Sequence, residues 1–340
     1  MPNPTSSVCD LLPPAPAPDA LMAAFQKASP RRARWQVMNS FIPYVALWYA
    51  MYHALVVSYW LMLPIAILAA GFLARIFIIF HDCGHSSFFK SRAANNVMGA
   101  IAGLLNLTPY RHWRWQHALH HGTAGNLDKR GAGDIWTLTV QEFRDASRWT
   151  RLMYCLTRNP IILFVIAPLY LFVIHQRFAS SSAPARERRS VRRTNWVLLL
   201  VTLVMSAFIG LKSFLLIQLT VTAIAGALGL WLFYVQHQFE GAYWERSPDW
   251  SYTRAALQGS SFYKLPRVLQ WFTGNIGYHH IHHLSPRVPN YFLQKCHEAI
   301  PECRRIKPLT LFSSLNCLTY RLWDEQRKMF VGYGQYRSPL

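Results

Sequence analysis

The sequence predicts an all-α integral membrane protein: four transmembrane helices in two hairpins, interfacial helices, and a cytoplasmic cap rich in histidine. Three observations predict it. Hydrophobic residues make up 52% of the 340, while only 15% are charged, against roughly 25% in an average soluble domain. The apolar residues gather in long runs. The basic residues, which set a formal charge of +20, flank those runs instead of forming one soluble face, which argues against a nucleic-acid partner and for a surface against anionic lipid.

In chain order, residues 1–38 begin with a Pro/Ala-rich stretch that has no apolar core of a cleaved leader, and read as a disordered tail. Residues 41–58 and 59–80 form a tight pair of runs, each near the ~20 residues a spanning helix needs, the second carrying Pro64 and Arg75. The run at 96–109 is too short to span and suits a re-entrant or interfacial helix. Residues 160–178 are long enough but are interrupted by Pro168; 196–211 and 214–236 make a second tight pair. Residues 301–340 read as a cytoplasmic C-terminal segment after a membrane domain at 39–300. The six cysteines form no CxxC pair and suggest no disulfide framework.

Histidine carries the chemistry. The chain has 14, and three clusters stand beside the runs: His81 and His85 (HxxxH), His117, His120 and His121 (HxxHH), and His279, His282 and His283 (HxxHH, with His280 extra). Positions i, i+3 and i+4 share one face of a helix, so each cluster offers two or three imidazoles to one point, and three such helices can surround two metal ions. Imidazole suits Zn, Cu, Fe and Ni alike. A shared site also demands that an even number of spans separate successive clusters. Three runs lie between the second and third clusters, so one does not span. The arginine-rich loop 177–193 should be cytoplasmic by the positive-inside bias, which makes 160–178 the interfacial or re-entrant segment. The same parity brings His237, at the end of the last run, to the clusters' side as a ninth ligand. Asp82, Asp134 and Glu240 are the carboxylates placed to accept from the ligands' second ring nitrogens. His53, His175 and His297 read as packing or surface residues, and His112 as surface or interface. Gly122, Gly125, Gly131 and Gly133 are too irregular for a phosphate cradle and read as turns. No Glu/ExxH pattern of soluble di-iron bundles, Ser-His-Asp set, P-loop or GxGxxG is present.

Four strings extend beyond the histidines: HDCGHSSFF at 81–89, WQHALHHGTAGNLDKRGAGDIWTLTV at 115–140, FYVQHQFEGAYWER at 233–246, and GSSFYKLPRVLQWFTGNIGYHHIHHLSPRVPNYFLQ at 259–294. With them the chain resembles the membrane fatty-acid desaturases over residues 40–300. The strings resemble the acyl-lipid, omega-6/Δ12-like branch in particular, and the short HxxxH gap favours an acyl-lipid over an acyl-CoA enzyme without settling which bond is desaturated. The resemblance implies two Fe ions on the three clusters and on His237. It implies O₂-dependent removal of hydrogen from adjacent methylenes of a lipid-linked acyl chain, leaving a cis double bond. It also implies an external electron donor, ferredoxin or a cytochrome, because the chain has no haem-attachment or ferredoxin-type cysteine set. A hydroxylase or related oxygenase shares the histidine spacing. A divalent-metal transporter would instead line a path with histidines inside its spans, whereas these stand outside the runs.

Overall fold

The computed structural model describes residues 18–131 and 133–334. Among them helices dominate, and the only sheets are two short two-stranded pairs.

Two long hairpins form the frame. In the first, α2 (Pro30–Val57) opens with Ser29 capping the Arg32 N–H and Pro30 at the first position, where a missing N–H costs nothing. Ser58 both ends α2 and starts α3 (Tyr59–Gly84). Its N–H donates to the Ala54 carbonyl at 2.9 Å, and its hydroxyl accepts from the Trp60 N–H at 3.2 Å. In the second, α9 (Ala185–Ile209) turns into α10 (Leu211–His237) at Gly210, whose φ of +81° is the left-handed region that favours glycine. These four helices are long and apolar enough to cross a membrane. Small residues on α3 (Ala66, Ala69, Ala70) are fully buried and let α2 and α10 approach closely. Trp196, Leu200, Leu203 and Phe208 on α9 stand exposed, as a lipid-facing helix requires. The chain is thus an all-α membrane protein with almost no sheet.

The interfacial helices follow. The 14-residue α4 (Arg92–Leu105) is too short to span. Gly99 on it gives way to Tyr110, because a Cβ there would meet the ring at 2.3 Å. Tyr110 opens α5 (Tyr110–Thr123), and its hydroxyl donates to the Cys83 carbonyl at 2.6 Å, fixing α5 on the end of α3. After α6 (Val140–Asp145), α7 (Arg148–Thr157) and the helical segment α8 (Ile162–Arg177) meet at a 61° bend. Together they would be a fifth span only if so bent a pair counted as one. The sharp break falls at 158–161, at Pro160, rather than at Pro168, which the chain passes with π-helical turns on either side. α8 rests on α10 at Gly226, where a Cβ would sit 2.9 Å from Pro168 Cβ and 3.1 Å from Phe172.

Three boundaries differ from the sequence expectations. Helix α1 (Pro18–Phe25) and the start of α2 occupy much of the expected tail; the rest of it, residues 1–17, lies outside the described residues. Residues 185–193 are the first turns of α9 rather than loop, because isolated arginines are good helix formers. The segment after residue 300 does not stand apart. Its β2 (Leu309–Thr310) pairs with β1 (Tyr263–Lys264), and the hairpin β3 (Leu322–Asp324)–β4 (Met329–Val331) buries Trp323. Tyr234 on α10 also donates its hydroxyl to the Cys317 carbonyl at 3.1 Å.

Candidate metal centre

The hairpins run so that the C-terminal ends of α3 and α10 lie together. Both helices extend past their apolar runs, so His81 falls in the last turn of α3 and His237 is the last residue of α10. His85 caps α3. α5 supplies His117, His120 and His121. The six-residue α13 (His279–Leu284) supplies His279, His282 and His283. It is held by Tyr252 of α11 (Tyr252–Gln258), whose hydroxyl donates to the His283 carbonyl at 2.5 Å, and by Gln236, whose amide donates to the Ile276 carbonyl at 3.0 Å.

The imidazoles sort into two groups. Ligand nitrogens of His81, His85, His117, His121 and His282 all lie within 4.8 Å of one another, and those of His120, His237 and His283 form the second group. His279 reaches that second group through His237, Nε2 to Nε2 at 3.0 Å. The clusters therefore do not each point to one place, as the spacing alone suggested. Adjacent residues on a helix are turned roughly 100° apart, so the HH pairs split: His121 and His282 go to one group, His120 and His283 to the other.

Hydrogen bonds on the far side of the rings set which nitrogen faces inward. His81 Nδ1 meets Asp82 Oδ1 at 3.2 Å, His120 Nδ1 meets Asp134 Oδ1 at 2.7 Å, and His237 Nδ1 meets the Gly259 carbonyl at 3.2 Å. With Nδ1–H donating, each Nε2 presents a lone pair to the interior. Asp82 is itself steadied by the Asn290 N–H at 2.6 Å and its amide at 2.8 Å. Glu240, the third expected carboxylate, is exposed and is joined to no cluster histidine by a hydrogen bond among the described residues.

Neutral hydrogen bonding leaves this interior unsatisfied. A chain of Nε2 atoms runs His81–His117–His121–His282 at 3.0, 3.1 and 2.9 Å. If His81 Nε2 is an acceptor, His117 Nε2–H satisfies it. That nitrogen then has no lone pair left for His121 and no second proton to give. His85 Nε2, His120 Nε2 and His283 Nε2 are buried with no partner at all. Burial first, and then the neighbouring imidazoles, push the pKa values of His85, His117, His121, His279, His282 and His283 well below the ordinary 6.5. The rings are therefore neutral at pH 7 and keep their lone pairs. Converging lone pairs with no proton to share is the arrangement that a cation relieves, and the all-nitrogen donor set fits a transition-metal pair.

Other histidines pack elsewhere. His53 and His175 are exposed. His112 is not at the surface but buried, its Nε2 accepting from the Ser180 N–H at 3.1 Å and so tying α5 to the turn beyond α8. His280 points away from both groups and meets His297 at 2.9 Å. Gly125, Gly131 and Gly133 all have positive φ, as turns. Three contributors escaped the sequence reading: Asn290, which lies within one of the quoted strings but carries no chemical pattern of its own; Trp113, stacked on His117 at 4.4 Å; and Gly84, where a Cβ would come within 2.9 Å of Trp113.

Residues 58–311 match the family described as "Fatty acid desaturase". The chain is 49% identical to the "Fatty acid desaturase" of Bacillus subtilis (strain 168) over 92% of this chain and 89% of that one. It is 28% identical to the "sn-1 oleoyl-lipid 12-desaturase" of Synechocystis sp. over 72% and 69%. It is 29% identical to the "Acyl-lipid omega-3 desaturase (cytochrome b5), endoplasmic reticulum" of Arabidopsis thaliana over 78% and 69%.

Proposed function

The chain belongs to the fatty acid desaturase family, and on that premise we propose that it inserts a cis double bond into a lipid-linked acyl chain, at an omega-6/Δ12-like position, with O₂ and two Fe ions. The ligands in this reading are His81, His85, His117, His121 and His282 for one ion and His120, His237, His279 and His283 for the other. The observation that carries it is the pair of converging imidazole groups whose inward nitrogens cannot satisfy one another. The overall change is –CH₂–CH₂– + O₂ + 2 e⁻ + 2 H⁺ → –CH=CH– + 2 H₂O. The electrons come from a separate carrier, a ferredoxin or a cytochrome, and the basic face of the chain suits an acidic one.

Bound iron would supply, with O₂, the oxidising power to break an unactivated C–H bond, which redox-inert zinc lacks. The rest is the work of this chain's residues. Asp82, Asp134 and the Gly259 carbonyl hold the imidazoles in one tautomer and orientation. Asn290 and Trp113 fix Asp82 and His117 in turn. Burial of His81, His120, His237, His279, His282 and His283 keeps bulk water from the reacting carbons. The histidine side faces the cytoplasm in this reading, because the arginines of α2 and α9 gather there.

Mass spectrometry of lipids from an expressing strain, with double-bond location, tests the reaction. New cis-unsaturated chains are expected, lost on His120→Ala, with about two iron per chain in the purified protein. A hydroxylated product with no new double bond would reject desaturation, and a bond outside the omega-6/Δ12 region would reject only the position.

A further inference from the structure

A cavity of about 490 Å³ opens beside α3, between α12 (Arg267–Phe272) and α14 (Asn290–Ala299), with no cluster histidine in its lining. Three cations line it: Arg75, Lys264 and Arg267. No acidic residue does, and none of the three forms an ion pair among the described residues. Arg75 is the unusual one. It sits within the membrane-spanning α3 and is only 7% exposed. Its guanidinium lies over the Trp271 ring at 3.9 Å and donates to the Trp271 carbonyl, while its Nε has no partner. Gln36 on α2, 3% exposed, also lines the cavity, and its amide nitrogen is likewise unpartnered. The nearby carboxylate of Glu298 accepts from the Gln294 amide at 2.8 Å instead of reaching these cations.

A buried, unpaired cation at membrane depth is costly, and such residues mark ligand sites more often than they mark packing. Its planar fork of donors suits a phosphate oxygen pair, and Lys264 and Arg267 on the exposed rim add attraction for the same charge. The cavity also shares a wall with the metal centre: Asn290 lines it and holds Asp82, which holds His81. We propose that this cavity seats the phosphate of the lipid substrate's headgroup, so that the enzyme acts on phospholipids in preference to neutral glycolipids. The inference rests on the acyl-lipid reading above and names its substrate class.

The test measures binding separately from turnover. The iron-loaded full chain in detergent micelles is offered phosphatidylglycerol and a digalactosyl lipid with the same acyl chains, and retention is read by native mass spectrometry, with inorganic phosphate as competitor. Phosphatidylglycerol should be retained about tenfold more tightly, the scale set by one charge-assisted contact. Arg75→Gln should abolish that preference and Arg75→Lys restore part of it. Because a change inside α3 risks the fold, the rim double variant Lys264→Gln/Arg267→Gln is measured beside it and should cut the preference several-fold at unchanged melting temperature. Equal retention of the two lipids, or a preference untouched in the rim variant, overturns the seat. Inorganic phosphate binding as tightly as phosphatidylglycerol overturns it too, in favour of a free-phosphate site. A phospholipid preference that survives when no unsaturated product forms on any lipid supports the seat and rejects the reaction. Product formed equally from both lipids, with no binding preference, rejects the seat and leaves the reaction standing.

Discussion

Asp134 does one thing for the proposed centre: it accepts from His120 Nδ1 at 2.7 Å, and its other oxygen takes the Gly131 N–H at 3.2 Å. Asp134→Asn keeps the shape and removes the charge that favours this tautomer. The expected result is about 10–100-fold weaker iron binding in chelator competition, with unchanged helix content by circular dichroism; unchanged iron retention would remove Asp134 from the site. The pH response follows from the same rings. His85, His117, His121, His279, His282 and His283 have folded pKa values below the ordinary 6.5. Between the folded and unfolded values the unfolded chain binds more protons, so stability rises with pH there and is lost as pH falls below about 6.5. The melting temperature of the metal-free protein should drop on acidification through that point, and a profile flat down to about pH 5 contradicts neutral burial. The gathering of imidazoles was legible in the sequence because HxxxH and HxxHH put them on one helix face. Their division between two groups was not, because it depends on how four helices are turned toward one another. His112 was misplaced for a similar reason: its partner, Ser180, lies 68 positions away.

At the scale of elements, run length decided what could be read. The two hairpins were visible as paired apolar runs, and their turns at Ser58 and Gly210 fall where the runs break. Helix ends were less visible: α2, α3, α9 and α10 all continue past their apolar residues, which is how His81 and His237 come to ride on spans. The interruption expected at Pro168 does not break the helical segment there, since a proline stops a helix only where the freed carbonyls find no other partner, and here π-helical turns absorb Pro168. What keeps α8 against α10 is the missing side chain at Gly226. Gly226→Ala should therefore cost about 1–3 kcal/mol by forcing Pro168 or Phe172 aside. Gly229→Ala, three residues on and with nothing within 4 Å of its would-be Cβ, should be neutral or slightly stabilising. Thermal unfolding of the two variants in the same detergent separates them; equal melting temperatures would mean that α8 is not seated on α10 this way.

For the whole molecule the decisive quantity is which end of the four-helix frame carries the charge. The N-terminal ends of α2 and α9 and the C-terminal ends of α3 and α10 share one side, since the histidine groups draw on α3 and α10 together. On that side lie Arg31, Arg32 and Arg34 of α2 and Arg186, Arg188, Arg189, Arg192 and Arg193 of α9. The two turns at the opposite end hold Lys212 and little else. Basic residues next to short loops are retained on the cytoplasmic face, so in the proposed topology the excess orients all four helices at once with the histidines on the cytoplasmic side. The same proposed topology keeps 160–178 from spanning. Were α7 and α8 a fifth span, α9 would begin on the far side from α3's end, and His237 would emerge away from His120 instead of 4.8 Å from it between ring centres. A reporter fused near residue 185 should accordingly read as cytoplasmic, and reporters at 58 and 210 as lying across the membrane. A cytoplasmic signal at 210 would break the second hairpin, and a periplasmic one at 185 would invert the whole arrangement and take the proposed electron donor's access with it.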